Sequence, residues 1–127
     1  MRIFQSILPL CLLFVGGLAK KDQYEEFYRL SQRTSPLKLN DATYTSLTAA
    51  PRNHSVAVLL TALETRFGCQ LCQEFEPEWE LVGRSWTRGD KAGDSRLLFG
   101  TLDFADGREV FVSVCSKVFV LEILIKL

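Results

Sequence analysis

The sequence is short of several features that would classify it at once. It has no excess of either charge, with 15 Lys and Arg against 15 Asp and Glu. A nucleic-acid binder normally carries a basic surplus, and none is present here. Four cysteines are too few for a disulfide-dense miniprotein of this length. There is a single histidine, His54, and no proline follows Pro77. Internal repeats, low-complexity segments and a Lys-Asp-Glu-Leu-type retention signal are all missing. What remains is 47% hydrophobic and 24% charged over 127 residues. That mixture excludes an intrinsically disordered chain and fits one small domain.

The first 19 residues have the three parts of a secretory signal peptide. Arg2 supplies the positive charge, Ile7 to Val15 form an apolar core, and Gly17 and Ala19 are small residues before a cut after Ala19. Lys20 and Lys21 end the apolar run. An uncleaved anchor is the competing reading, but the core is short against the roughly 20 apolar residues a span needs. Cleavage would leave Cys69, Cys72 and Cys115 in an oxidising compartment, with no transmembrane helix in the mature chain.

Past the signal, Asp22 to Gln32 is expected to be a helix capped by Asp22, with a stripe of Tyr24, Phe27, Tyr28 and Leu30. Leu37 and Leu39 suggest a short extended piece, Ala42 to Ala50 a short helix stopped by Pro51, and Arg52 to His54 a turn. Val56 to Leu60 is a continuous apolar run, which predicts a strand buried on both faces in mid-sheet. After a loop over 64–68, the helical pattern runs from Cys69 to about Trp86. Leu71, Phe75, Trp79 and Val82 mark its apolar face, and Pro77 should kink it. Trp79 and Trp86 are expected to be core anchors. Thr87 to Asp94 is expected to be a loop and Leu97 to Phe104 a strand; Arg108 to Ser113 fits a helix or a strand. The tail, Val118 to Leu127, is apolar and β-branched, a substitute strand or an aggregation hazard.

The sharp chemical signal is Gly68-Cys69-Gln70-Leu71-Cys72, after an apolar strand and at a helix start. Two cysteines three apart can close a small disulfide there. The free N–H groups and positive dipole end of the first turn stabilise a thiolate, the species that attacks disulfides. In that arrangement Cys69 is the exposed nucleophile and Cys72, one turn in, the more buried resolving thiol. A purely structural disulfide is an alternative. Zinc would need four ligands, and besides this pair only Cys115 and His54 remain, without ligand-like spacing. Asn53-His54-Ser55 matches the glycosylation acceptor pattern, used or unused, and His54 in it is expected on the surface.

Cys69-Gln70-Leu71-Cys72, followed by Glu74-Phe75-Glu76-Pro77-Glu78-Trp79, matches the thioredoxin pattern of a CxxC helix with a proline. The flanks are more specific: Ser35-Pro36-Leu37, Leu39 to Tyr44, the strand Val56 to Leu60, Leu102-Asp103-Phe104, and Asp106 to Phe111. Over about Lys21 to Val114 the chain resembles the lumenal domain of the thioredoxin-like (gamma-type) subunit of the oligosaccharyltransferase complex, in a fungal style. The resemblance implies an α/β thioredoxin-like fold over residues 20–114, with an N-terminal helical extension. It implies capture of nascent polypeptides by transient mixed disulfides in the endoplasmic reticulum lumen, in aid of N-glycosylation, with other subunits of the complex as partners. Cys69 would capture, Cys72 resolve, and Gln70 and Leu71 touch the peptide. The subunit would be an accessory thiol–disulfide oxidoreductase, needing no cofactor and no metal. Family members continue to a loop with a cis-proline, further strands and transmembrane helices. Here residues 115–127 leave the pattern, so the expectation is a truncated domain, incomplete at its C-terminus, with Cys115 an odd thiol. Such a chain would be lumenal, or secreted if not retained. A binding module with a permanent Cys69–Cys72 bridge, and a general oxidase or isomerase, are the other readings.

Overall fold

The computed structural model describes residues 22–91 and 93–125, with side chains up to Ser116. The expected signal peptide, residues 1–19, lies outside the described residues. In order, the elements are α1 (Gln23–Arg33), β1 (Leu37–Leu39), α2 (Asp41–Thr48), β2 (Ser55–Thr61), a 3-10 turn (Thr65–Phe67), α3 (Gln70–Gly89), β3 (Leu97–Asp103) and α4 (Arg108–Ile125).

Local signals account for the helix starts. Asp22 caps α1 by accepting the Tyr24 N–H at 3.1 Å. Asn40 and Thr43 form a reciprocal capping box on α2. A third cap is not local: Asp41, on α2, accepts the Val110 N–H at 2.9 Å. A carboxylate thus sits at the positive end of α4 and ties it to α2.

The three strands form one parallel sheet in the order β1-β3-β2. Leu37 pairs with Gly100 and Leu39 with Leu102; Ser55 pairs with Leu97 and Thr61 with Asp103. Parallel strands need long crossovers; α2 lies in the connection from β1 to β2, across the place of β3, and α3 in that from β2 to its neighbour β3. Strand alternation sorts the packing of β3. Leu98 and Leu102 join the main core with Tyr24 and Phe27 of α1, Leu37 and Leu39 of β1, Leu47 of α2 and Val110 of α4. The intervening residues meet α3 instead: Phe99 lies 5.3 Å from Trp79, ring to ring, and Thr101 accepts the Trp79 indole N–H at 3.1 Å. This is an α/β fold consistent with the thioredoxin-like class.

Several expectations change. Among the described residues the apolar run of β2 stands at the edge of the sheet, where a mid-sheet place was expected, and its residues from Val56 to Leu60 are half-buried. The central strand is β3. Its Gly100 lets Leu39 of β1 lie so close that a Cβ there would meet Leu39 Cδ1 at 2.7 Å. His54, expected on the surface, is 8% exposed, its Nε2 2.9 Å from the Leu47 carbonyl and its ring beside Tyr24. The turn before β2 folds back toward α1, which sequence spacing does not reveal. Trp79 is half-buried as an anchor, but Trp86 is 42% exposed. α3 also comes close to the chain before β1 at Gly83, where a Cβ would meet Pro36 Cγ at 2.7 Å. Leu71, Phe75 and Val82 of the expected apolar face are exposed. α3 continues through Pro77 to Gly89, shortening the expected loop. Arg108 to Ser113 is helix, and the tail continues it to Ile125 instead of forming a strand; no glycine or proline interrupts 108–125.

Candidate functional site: the CxxC turn at the start of α3

β2 ends at Thr61 and delivers the chain to a loop over 62–68 at the C-terminal end of the sheet. The loop closes with the 3-10 turn and Gly68, whose φ of 62° lies in the left-handed region that favours glycine. That reversal sets Cys69 as the N-cap of α3, with its Sγ accepting the Cys72 N–H at 3.2 Å. Cys69 and Cys72 are joined in a disulfide, with Cα atoms 5.3 Å apart. Both are half-buried.

Gln70 and Leu71, between the cysteines, are exposed, Leu71 at 75%. Gln70 donates to Glu74 at 2.7 Å, one turn on. Thr65, Gly68, Gln70, Gln73 and Glu74 border an open groove beside the disulfide. The outer face of α3 adds exposed Phe75, Leu81, Val82 and Trp86. The site thus offers a cystine in the first helical turn, beside a polar groove that carries the Glu74 carboxylate and an apolar stretch of α3. Attack by an external thiolate on a sulfur of the pair would be chemically straightforward.

Two tethers hold the loop to the corner between β3 and α4. The Asp103 carboxylate accepts the Leu63 N–H at 2.9 Å through Oδ2 and the Ala105 N–H at 2.9 Å through Oδ1. Leu63 in turn accepts from the Gln73 side chain at 3.3 Å. The second tether is aromatic: Phe67 meets Phe104 edge to face at 5.1 Å, and Phe104 meets Phe111 at 5.3 Å. Asp103 had no part among the expected site residues; it stood in the sequence only within the Leu102-Asp103-Phe104 flank, at a strand end before a turn.

The structure brings Cys69, Gln70, Leu71 and Cys72 together. Asn53 lies apart from them, exposed, before the opposite end of β2. Its carbonyl accepts from Arg96 Nε at 2.7 Å, and its side chain is 3.5 Å from Asp22 Oδ2. Cys115 is an exposed free thiol on α4. Among the described residues, no three His, Cys, Asp or Glu side chains are grouped to hold a metal ion. No helix of the described residues is long and apolar enough to cross a membrane.

Residues 25–115 match the family model described as "OST3 / OST6 family, transporter family". The chain is 36% identical over 112 residues to the dolichyl-diphosphooligosaccharide–protein glycosyltransferase subunit MAGT1 of Danio rerio, covering 82% of this chain and 34% of that protein. It is 29% identical over 122 residues to the same-named subunit of Gallus gallus, covering 87% of this chain and 37% of that protein. With the human subunit it shares 38% identity over 63 residues, half of this chain and 18% of that protein. The chain spans about a third of the length of the first two relatives. These relatives are vertebrate proteins and lend the fungal attribution no support. The matched span takes in the sheet, the CxxC turn and all but the C-terminal part of α4, and on it the chain belongs to the OST3/OST6 family.

Proposed function

We propose that this chain is the lumenal thioredoxin-like part of an oligosaccharyltransferase accessory subunit, and that Cys69 and Cys72 hold nascent polypeptides in transient mixed disulfides. The observation that carries the reading is the Cys69–Cys72 disulfide at the N-terminus of α3, in a chain of the OST3/OST6 family. A nascent-chain thiolate attacks the Cys69 sulfur, the Cys69–Cys72 bond breaks, and Cys72 leaves as a thiolate. Cys72 then attacks the same Cys69 sulfur, re-forms the bridge and releases the substrate thiolate. The cycle is thiol–disulfide exchange with no net oxidation and no cofactor. It would delay substrate disulfides while nearby acceptor asparagines are modified by a separate catalytic subunit. Gln70 and Leu71, exposed between the cysteines, are the residues to touch the captured peptide. The compartment is the endoplasmic reticulum lumen, the partners are nascent glycoproteins and other subunits of the complex, and Asn53 is an acceptor for this chain's own glycan.

The test is trapping. In Cys72→Ser the Cys69 thiolate attacks a substrate disulfide, one substrate sulfur leaves as a thiolate, and no Cys72 thiol resolves the product, so non-reducing gels of cells bearing the variant should show accumulated mixed disulfides. Cys69→Ser should show none. Equal trapping by Cys69→Ser and wild type would sink the mechanism. The exposure of Leu71 and Phe75 also suits a peptide-binding module whose disulfide is permanent. Alkylation after exposure to glutathione separates the two, because a permanent bridge resists that reductant.

A further inference from the structure

We infer that Asp103 is the positioning residue that holds the Cys69 loop against the start of α3, so that the corner between β3 and α4 sets the reactivity of the cysteine pair. The inference rests on the thiol–disulfide reading above and adds a residue far from the cysteines in sequence. The loop over 62–68 must hold Cys69 at the N-cap, where N–H groups and the helix dipole favour its thiolate in the reduced pair. When the covalent bond to Cys72 is gone, the placement of Cys69 depends on what anchors the loop. Asp103 supplies that anchor with both carboxylate oxygens. Oδ2 takes the Leu63 N–H and Oδ1 the Ala105 N–H, each at 2.9 Å. Its own backbone carbonyl accepts the Asp106 and Gly107 N–H groups at 3.0 Å, so the residue is fixed on the α4 side as well. Across the loop, Leu63 passes the constraint to α3 through the Gln73 amide. The Phe67–Phe104 contact is a parallel tether between the same two segments.

Displacing Cys69 from the N-cap takes its sulfur away from the N–H groups and dipole of the first turn, which raises the thiol pKa. The experiment uses the full chain, wild type and carrying Asp103→Asn, Asp103→Ala or Leu47→Ala, each reduced with dithiothreitol and freed of reductant. Iodoacetamide modification of Cys69 is followed against pH by mass spectrometry on its own peptide, with a thermal melt in parallel. Asparagine keeps one acceptor oxygen and alanine keeps none. The midpoint should therefore rise from wild type to Asn to Ala, and modification at neutral pH should slow by about three- to tenfold. Leu47→Ala opens the core away from the loop and should lower the melting temperature with the midpoint unmoved. Asp103 variants that only melt earlier, as Leu47→Ala does, overturn the inference; so does a midpoint that falls. A wild-type midpoint at the ordinary thiol value overturns both this inference and the redox reading. A depressed wild-type midpoint with unmoved Asp103 variants overturns this inference alone.

Discussion

Arg96 packs over the ring of Tyr24, its guanidinium carbon 4.2 Å from the ring centre. The same side chain reaches Asp22 Oδ2 at 3.1 Å and the Asn53 carbonyl at 2.7 Å, from a backbone φ of 47° that few non-glycine residues adopt. One cation thus joins the cap of α1, the turn before β2 and the start of β3.

Arg96→Gln should destabilise the protein more at neutral pH than in acid. Desolvation pushes the Asp22 carboxyl up, but the hydrogen bonds from Arg96, the Tyr24 N–H and Asn53, with the Arg96 charge, together outweigh it and hold the carboxyl below its ordinary range. A depressed carboxyl stabilises the fold fully above its unfolded value, and the contribution is lost as pH falls through the folded one. Urea melts at pH 7 and at about pH 2 should therefore show the gap between wild type and variant narrowing in acid. A gap that stays constant would assign the effect to the Tyr24 contact.

Tyr24→Phe removes the hydroxyl that donates to the Gly93 carbonyl at 2.9 Å, inside a residue only 2% exposed. The expected cost is about 1–2 kcal/mol at neutral pH. Burial, and then the Asp90 charge, raise the phenol above its ordinary range. A raised pKa gives stability that is complete below the unfolded value and lost as pH rises through the folded value. Wild type should lose stability in alkali more steeply than Tyr24→Phe, and an absorbance titration should lack the late phenolate step in the variant.

Two glycine substitutions should fail for different reasons. A Cβ at Gly107 would lie 2.5 Å from Leu102 Cδ1 and 2.6 Å from its Cγ, against a side chain with no exposure. Gly107→Ala should cost about 1–3 kcal/mol through displacement of Leu102. A Cβ at Gly68 meets nothing within 4 Å, so Gly68→Ala should cost only the left-handed backbone penalty of about 1–2 kcal/mol. Leu102→Val combined with each variant separates them, since only the Gly107→Ala defect should shrink.

Asn53→Gln should abolish an endoglycosidase-sensitive band shift of the chain expressed in a secretory host. In the folded protein the acceptor stretch is held on both sides of Asn53. Its carbonyl is bound by Arg96, and the Ser55 N–H donates to the Arg96 carbonyl at 2.8 Å. Glycan addition should therefore precede pairing of β2 with β3. Pulse labelling should find the glycan on chains that still lack protease resistance.

How much of this could be read beforehand depended on how local the determining contacts are. The caps Asp22 and Asn40 and the start of α3 at the CxxC are written within a few residues, and the helices begin where those residues stand. The position of β2 was not, because an apolar run reports that a strand is covered and not where it lies in the sheet. His54 was misplaced for a similar reason: its burial comes from Leu47 and Tyr24, which chain folding alone brings to it. At the candidate site the cysteine pair at a helix start was legible from its spacing and the apolar strand before it. Asp103 was not, since its partner Leu63 lies 40 residues away and is contacted through the backbone, which leaves no side-chain pattern.

The edge position of β2 has a consequence for amide hydrogen exchange. Among the described residues β2 is laddered only to β3, so along 55–61 every second amide points to a partner strand and the ones between do not. Over Gly100–Leu102, β3 has a neighbour on each side. Deuterium uptake should thus alternate along β2, slow then fast, while successive amides in the middle of β3 are uniformly slow. A strand laid along the outer edge of β2, from this chain or another, would register as the loss of that alternation.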